Sequence, residues 1–403
     1  MTDFFNLRHM SLAAEAVATR SVSAAAERVH MTQPAASQGI ARLEGELGAK
    51  LFLRQSGTLL PTEAGEIIAA RIEQALAFID QGADAIGRRS GKATHGRAVH
   101  RVTAAQLRAL VAVSDAGSFT LAAQSLGVAQ PSVHRRARTL EQIVEVPLFR
   151  AARGGVELTS EGQTLVRHVK LAHAELRQGL EELASLKGDA QARFTIGSLP
   201  LPRSEILPQA IDALVRTRSR LQVRVIDGRY AELLRALREG DIDCLVGALR
   251  EPPPADDVVE EPLFSDDLVL IAGRDHPLVG QSDTTLEDTL TYPWIAPPKT
   301  TPSGQYLFDA LRIHEQPATP VRVVSSSLVL VRQMLNRGNY VSIISRHQID
   351  HEVQAGNIAV LSVPLPDSAR AIGITTRAAW RPTRAQADVI AQIRAAAQSV
   401  QPA

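Results

Sequence analysis

Between positions 130 and 154 five arginines, Arg135, Arg136, Arg138, Arg150 and Arg153, stand against two acids, Glu141 and Glu145. The run opens with Gln130, Pro131 and Ser132 and includes His134, so positive charge is mixed with hydrogen-bonding groups. That mixture suits a polyanion, because cations neutralise phosphates while polar side chains reach base edges. Arginines at consecutive positions beside Gln130 exceed what solvating a helix face requires. The competing reading is a small helical bundle whose arginines only keep one face wet.

Nucleophilic and metal chemistry finds no comparable set of residues. His314-Glu315 and His351-Glu352 start like a zinc-protease helix, but four residues after each His stands Ala318 or Ala355 rather than a second ligand. Gly91-Lys92 resembles the end of a phosphate loop, yet Ile86 and Ala93 occupy the positions that need a glycine and a hydroxyl. No GxSxG occurs. Cys244 is the single cysteine, which excludes a disulfide framework and a cysteine metal site and fits a reducing cytoplasm. The expectation is therefore no enzyme, no cofactor and no metal.

The elements that must hold the basic patch occur twice. A shift of 97 residues lays Ser21 on Ser118, Gln33-Pro34 on Gln130-Pro131, Leu43-Glu44 on Leu140-Glu141 and Leu51-Phe52 on Leu148-Phe149. At the same offset Gly57 falls on Gly154, Thr62 on Thr159 and Gly65 on Gly162, so the chain carries an internal repeat. Each copy reads as three short helices and a wing. In the first, Ser21 or Ser23 caps one helix and Thr32 caps the next, with Pro34 in its first turn. Ala36, Ile40, Leu43 and Leu47 face inward, Ala35, Gln38, Gly39 and Arg42 face outward, and Gly48 ends the helix. In the second, Val133, Ala137, Leu140 and Val144 face inward and Ser132, Arg135, Arg136 and Thr139 outward. Two short helices with the second exposed on a polar side are the way a helix is offered to a major groove.

A longer helical seam follows each copy, through Ile68, Ile72, Leu76, Ile79 and Ile86 and then through Leu165, Val169, Ala172, Leu176, Leu180 and Leu183. Arg88 to Val102 reads as a linker, as does Lys187 to Ala192. From Phe194 the texture changes to strands alternating with helices, which implies an α/β region of mostly parallel sheets. Strands are expected at 194–198, 221–226, 244–247, 268–272, 294–296, 321–324, 341–345 and 371–376. Helices are expected at 205–218, 230–239, 303–312, 326–337 and 383–397.

The chain of 403 residues is too long for one core. Its charges nearly cancel, but residues 1–100 carry +1, 101–192 carry +2 and 193–403 carry −2. The N-terminus lacks the plan of a signal peptide and no apolar run approaches the roughly 18 residues of a membrane span, so a soluble cytoplasmic protein is expected.

With Gly117 to Thr120, Gln130-Pro131, Leu140-Glu141, Leu148-Phe149, Leu158-Thr159 and Gly162 in hand, the chain resembles the LysR-type transcriptional regulators. That resemblance implies winged helix-turn-helix heads, dimerising linker helices and a two-lobed effector domain of the type II periplasmic-binding kind. The stretches at 223–250, 260–278, 292–305 and 371–383 are similar to the subgroup that includes a regulator of a galactose-binding protein. The implied organisation is multidomain: a first head with linker helix over 1–92, a second over 93–190, and an α/β effector domain over 191–403. Lobe I would comprise 193–267 and 372–403 and lobe II 268–371, hinged near Leu268 and Thr375.

The resemblance places DNA contacts on Gln130, Pro131, His134 and Arg135, and in the first copy on Gln33, Pro34, Ser37 and Gln38; the polar outer faces and the local positive charge add Ser132, Arg136, Arg138, Arg150 and Arg153, and in the first copy Arg42 and Arg54. The second copy lacks a capping hydroxyl at Ala129, a helix-ending Gly at Glu145 and, at Ala151, the Arg that the pattern sets after Leu-Phe. From the Gln to the wing Gly the first copy nets +1 and the second +3, so the second is the expected primary binder of double-stranded DNA. The first is either a second reader or a spacer. The two linker helices either pair within one chain or, as the plainer expectation, support a homodimer or tetramer through the second helix with the extra heads outside.

In the effector domain, Ser198, Thr300, Thr301, Ser303, Ser326 and Ser327, with Ser325, stand after strands or before helices, where hydroxyls meet a small polar effector such as a sugar or small carboxylate. Each also suits a plain capping role. Trp294 is either a stacking platform or core. The function these expectations imply is a ligand-controlled DNA-binding regulator; the alternative is a sensing protein whose heads serve assembly without binding DNA.

Overall fold

The computed structural model describes residues 5–55, 58–89, 98–188, 192–316 and 320–400. The chain divides into two compact units, Met1–Arg193 with Arg238–Asp241, and Phe194–Leu237 with Ile242–Ala403.

In the first unit α1 (Leu7–Thr19), α2 (Val22–Arg28), α3 (Gln33–Leu47), β1 (Phe52–Gln55), β2 (Thr58–Pro61) and α4 (Glu63–Arg89) form one head and its linker helix. Next come α5 (Ala104–Ala116), α6 (Phe119–Leu126), α7 (Gln130–Val144), β3 (Phe149–Ala152), β4 (Gly155–Leu158) and α8 (Ser160–Leu186). The second series repeats the first at the offset of 97 residues seen in the sequence, departing only at the end of α6. The apolar faces of both heads and both linker helices merge into one core that includes Leu12, Leu43, Ile72, Ile79, Leu110, Leu140, Leu165 and Leu176. Merging matters, because a domain of about 60 residues buries a smaller share of its surface on folding than a larger one and is only marginally stable by itself.

Local chemistry explains the starts and stops. Ser21 and Ser118 cap α2 and α6 with hydrogen bonds from Ala24 N–H and Leu121 N–H. Thr32 holds the cap position of α3, but neither it nor Ala129 makes a side-chain cap bond. The expected capping advantage of the first copy is therefore absent, and Pro34 and Pro131 start both helices alike. Gly39 is buried beneath His9 and Leu12 rather than outward, since the outer face of α3 ends where α1 crosses it. Glu145 adopts the left-handed turn (φ 58°) that Gly48 adopts in the first head (φ 60°).

The expected linker from Arg88 is helical through Arg89, positions 90–97 lie outside the described residues, and Ala98–His100 form a packed 3-10 turn. There the Val99 N–H donates to Asp80 Oδ1 at 3.1 Å. The wing position Gly57 also lies outside the described residues, as do 189–191 of the second linker.

The second unit contains two five-stranded sheets. The first joins β5 (Ala192–Ser198), β6 (Leu221–Asp227), β7 (Cys244–Ala248), β8 (Val258–Asp266) and β14 (Arg370–Arg377) in the order β6-β5-β7-β14-β8. The second joins β9 (Leu268–Gly273), β10 (Trp294–Ala296), β11 (Val321–Val324), β12 (Val341–Ser345) and β13 (Ile358–Val360) in the order β11-β10-β12-β9-β13. Helices α9 (Ile206–Thr217), α10 (Tyr230–Glu239), α11 (Leu286–Thr289), α12 (Pro302–Gln305), α13 (Leu328–Leu335), α14 (Asp350–Gln354) and α15 (Arg384–Val400) connect or follow these strands.

Both sheets are mixed rather than mostly parallel, because β14 runs antiparallel to β7 and β8, and β9 antiparallel to β12 and β13. The helix expected over 303–312 is divided between α12 and a π turn over Tyr306–Ala310, and Arg312, in a left-handed conformation, leads into a 3-10 turn over Ile313–Glu315. The chain passes between the sheets at Asp267 and again over 361–369. Thr375 therefore sits mid-strand, paired with Leu245 and Glu260, and is not a crossing point.

Candidate nucleic-acid interface and effector site

In each head a glutamate near the end of the exposed helix fastens the wing. Glu44 Oε1 accepts the N–H groups of Leu51 (2.9 Å) and Phe52 (3.4 Å), and Glu141 Oε1 those of Leu148 (2.8 Å) and Phe149 (3.2 Å). Lys50 and Arg138 neutralise the two carboxylates. The hydroxyls of Thr62 and Thr159 donate to Lys50 O and Pro147 O and accept from Gly65 N–H and Gly162 N–H. At either glycine a Cβ would meet the carbonyl oxygen of Leu51 or Leu148 at 2.2 Å. Most residues shared by the two copies thus build the frame, which leaves the differing ones to face outward.

On α7, Gln130, Pro131, His134, Arg135 and Arg138 are exposed, and Ser132 and Arg136 are half-buried. Arg135, Arg136 and the wing residue Arg153 hold no ion pair or hydrogen bond among the described residues. Arg138 pairs with Glu141 and Arg150 with Glu157, each at 2.8 Å. Such surface pairs are weak and exchange readily with other anions. The His134 ring stands edge-on to Phe119 with centroids 5.1 Å apart, and Phe119 meets Phe149 at 5.6 Å. The first head has Val22 and Ser37 at the corresponding positions and lacks this stack. Its α3 exposes Gln33, Pro34, Ser37, Gln38 and Arg42, with Arg42 paired to Glu46 at 3.1 Å and Arg54 exposed on β1.

The heads are held together by α4 and α8, which pack antiparallel within the chain. A Cβ at Gly82 would meet His168 Cβ at 2.7 Å and Leu165 Cδ1 at 3.3 Å; one at Gly179 would meet Ile68 Cδ1 at 2.9 Å and Arg71 Cβ at 3.1 Å. The offset of 97 turns each contact into the other, since it relates Ile68 to Leu165, Arg71 to His168 and Gly82 to Gly179. The helix pair therefore has an approximate twofold axis. Symmetry fails at the polar side chains: Arg71 donates to Glu175 Oε2 (2.8 Å), Gln178 Oε1 (2.8 Å) and both oxygens of Glu182 (2.9 Å), whereas His168 Nδ1 meets only Thr164 O (2.8 Å) among its hydrogen bonds.

The hydroxyls of the second unit serve local structure. Ser198 is buried and donates to Leu199 O. Thr301 caps α12 through Gly304 N–H, donates to Pro298 O and lies 3.4 Å from Ser303 Oγ; Thr300 is exposed beside it. Ser327 caps α13 through Leu330 N–H, Ser325 accepts from Ser327 N–H, and Ser326 is exposed. Hydrogen bonds link Thr301 with Ser303 and Ser325 with Ser327, while among the described residues none joins Thr300, Ser326 or Ser198 to them. Trp294 is fully buried and donates Nε1–H to Thr289 O at 3.0 Å, so it is core and not a stacking platform.

Sequence reasoning missed two arrangements. Asp266, buried at the end of β8, accepts from the Ser345 hydroxyl, from His347 Nδ1 (2.6 Å) and from Arg370 Nη2 (3.3 Å), joining the two sheets where the chain crosses. Burial would raise its pKa, but the bonds from His347 and Ser345 and the charge of Arg370 hold it below the usual carboxylate value. Arg250, just past β7, lies 4.1 Å over the Tyr230 ring. Only the Asp266-Asp267 pair before an apolar strand hints at the first; nothing in the spacing announces the second.

The helix-turn-helix model described as the bacterial regulatory helix-turn-helix protein of the lysR family matches residues 7–66 and again 104–163. The LysR substrate binding domain model matches residues 187–398. The chain belongs to the LysR family of transcriptional regulators. It is 30% identical over 376 residues to the transcriptional regulator GalR of Pseudomonas putida, an alignment covering 93% of each chain. It is 27% identical over 297 residues to PcaQ of Agrobacterium fabrum, covering 74% of this chain and 96% of that one. Among solved structures, a full-length point variant of OxyR from Pseudomonas aeruginosa covers 73% of this chain and 95% of its own at 24% identity, with a TM-score of 0.56. LysG from Corynebacterium glutamicum, with bound effector Arg, covers 73% and 97% at 21% identity and a TM-score of 0.52. These likenesses show the fold. As a LysR-family member the chain is a DNA-binding transcription regulator with an effector-binding domain and not an enzyme. Among the described residues no helix is long and apolar enough to cross a membrane.

Proposed function

We propose that this LysR-family chain is a cytoplasmic regulator that binds double-stranded DNA chiefly through α7 and the β3–β4 wing. The observation that carries the reading is that Arg135, Arg136 and Arg153 stand without a partner among the described residues beside Gln130, Pro131, Ser132 and His134, with Arg138 and Arg150 in exchangeable surface pairs. Guanidinium groups left unpaired in this way are supplied for phosphates and base edges. A small polar effector, a sugar or small carboxylate, binds near Ser198, Thr300, Thr301, Ser303, Ser326 and Ser327 and prefers one conformation of the effector unit, without which it would shift nothing. Copies of the chain associate into a dimer or tetramer on DNA.

Fluorescence anisotropy of the full chain on duplex DNA from its own upstream region tests the reading. Changing Arg135 and Arg136 to Ala should weaken binding and lower the salt dependence by about two units of log–log slope. Unchanged affinity and slope in that variant would show that the heads serve another purpose. Thermal-shift measurements with sugars and small carboxylates test the effector class, a stabilised effector-unit transition being the expected result.

A further inference from the structure

We infer that one chain reads two unlike half-sites, the first head selecting adenine through Gln38 where the second selects guanine through Arg135. The inference rests on the DNA-binding reading above and deepens it. Two observations carry it. The approximate twofold axis of the α4–α8 pair relates the heads, so α3 and α7 are offered as a symmetry-related pair by one polypeptide. Gln38 and Arg135 occupy corresponding positions on those helices, one turn past Pro34 and Pro131, and both are exposed without a partner among the described residues.

A homodimer must carry identical side chains on its two reading helices, and its site is palindromic for that reason. Here the symmetry is geometric only. Around it the outward residues differ in two adjacent pairs one turn apart: Ser37 against His134, Gln38 against Arg135, Ala41 against Arg138 and Arg42 against Thr139. In a major groove a glutamine amide matches the N6 and N7 edge of adenine, and a guanidinium fork matches O6 and N7 of guanine. The frame bonds through Glu44 and Glu141 are alike, so the two helices are presented in the same way and the difference lies in what they carry.

The test is selection of sequences from a random duplex pool by the full chain, compared with Gln38→Arg and Arg135→Gln, with melting curves recorded for all three. The expected wild-type pool contains two half-sites in opposite orientation, with guanine in one and adenine at the matching position of the other. Gln38→Arg should convert the adenine half to guanine, and Arg135→Gln the guanine half to adenine, each by about tenfold or more in preference. If Gln38→Arg fails to fold, Gln38→Ala should lose selectivity in the adenine half alone. A pool holding one half-site or a perfect palindrome, or one insensitive to both Gln38 changes while Arg135→Gln alters it, would overturn the inference and leave the second head as the reader. A pool with no enrichment at all would remove the DNA-binding reading together with this one.

Discussion

The guanidinium of Arg71 on α4 donates to the carboxylate of Glu175 on α8 across 2.8 Å, with both side chains buried. Burial alone would depress the pKa of Arg71, but its bonds to Glu182 and Glu175 raise it above the ordinary value. Because the partners belong to one chain, this cluster fastens the two heads without needing a second copy. Arg71→Ala leaves Glu175 and Gln178 buried with no cation and should destabilise the head unit by about 3–5 kcal/mol, read from urea denaturation followed by circular dichroism.

Gly82 and Gly179 set how closely the two helices approach. Gly82→Ala should cost about 1–3 kcal/mol, since the added methyl meets His168 Cβ inside contact distance, and Gly179→Ala should cost less, since the Ile68 Cδ1 it meets can rotate away and alanine favours the helix by about 1 kcal/mol. The midpoint of the affected transition should not move on about tenfold dilution of the protein, as pairing within a chain is independent of concentration. A midpoint that falls with dilution would place the partner helix on another copy.

Glu44 and Glu141 should behave as twins. Replacing either by Ala strands two buried N–H groups and should cost about 1–3 kcal/mol. Amide exchange should accelerate at Leu51 and Phe52 in the first case and at Leu148 and Phe149 in the second, each without effect on the other wing.

Two histidines should give opposite pH slopes. The hydrogen bond to Asp266 raises the pKa of His347, so its contribution is complete below about 6.5 and is lost as pH rises through the elevated value. Burial lowers the pKa of His168, so its contribution is complete above about 6.5 and is lost as pH falls below it. Melting temperatures of wild type, His347→Gln and His168→Gln across pH 5 to 8 should show the first difference shrinking toward alkaline pH and the second toward acid.

The repeat is legible in the sequence because frame residues such as Glu44 and Glu141 are held to one identity by the bonds they make, and the same offset recurs in the folded elements. Strand β8 carries no such signal, because Val258, Val259, Glu260, Glu261 and Pro262 neither alternate nor run apolar, as befits a sheet edge paired on one side only. The spacing predicts one helix over 303–312 because its apolar residues recur at helical intervals, while the backbone at Arg312 turns left-handed. Glycines at 82 and 179 look like weak points within helices, and only the fold shows that each makes room for the opposite helix. Which helices pair is a long-range fact that periodicity does not contain, and the Asp266 cluster is hidden for the same reason, its members lying about 80 to 100 residues apart.

Lys187, the residue that follows the second linker helix, donates to Gly48 O at 2.6 Å, at the left-handed residue that ends α3 of the first head. By covalent order Lys187 continues from the second head, yet its side chain is bound to the first. A pull on Lys187 would therefore be felt at the C-terminal end of α3 as well as along α8.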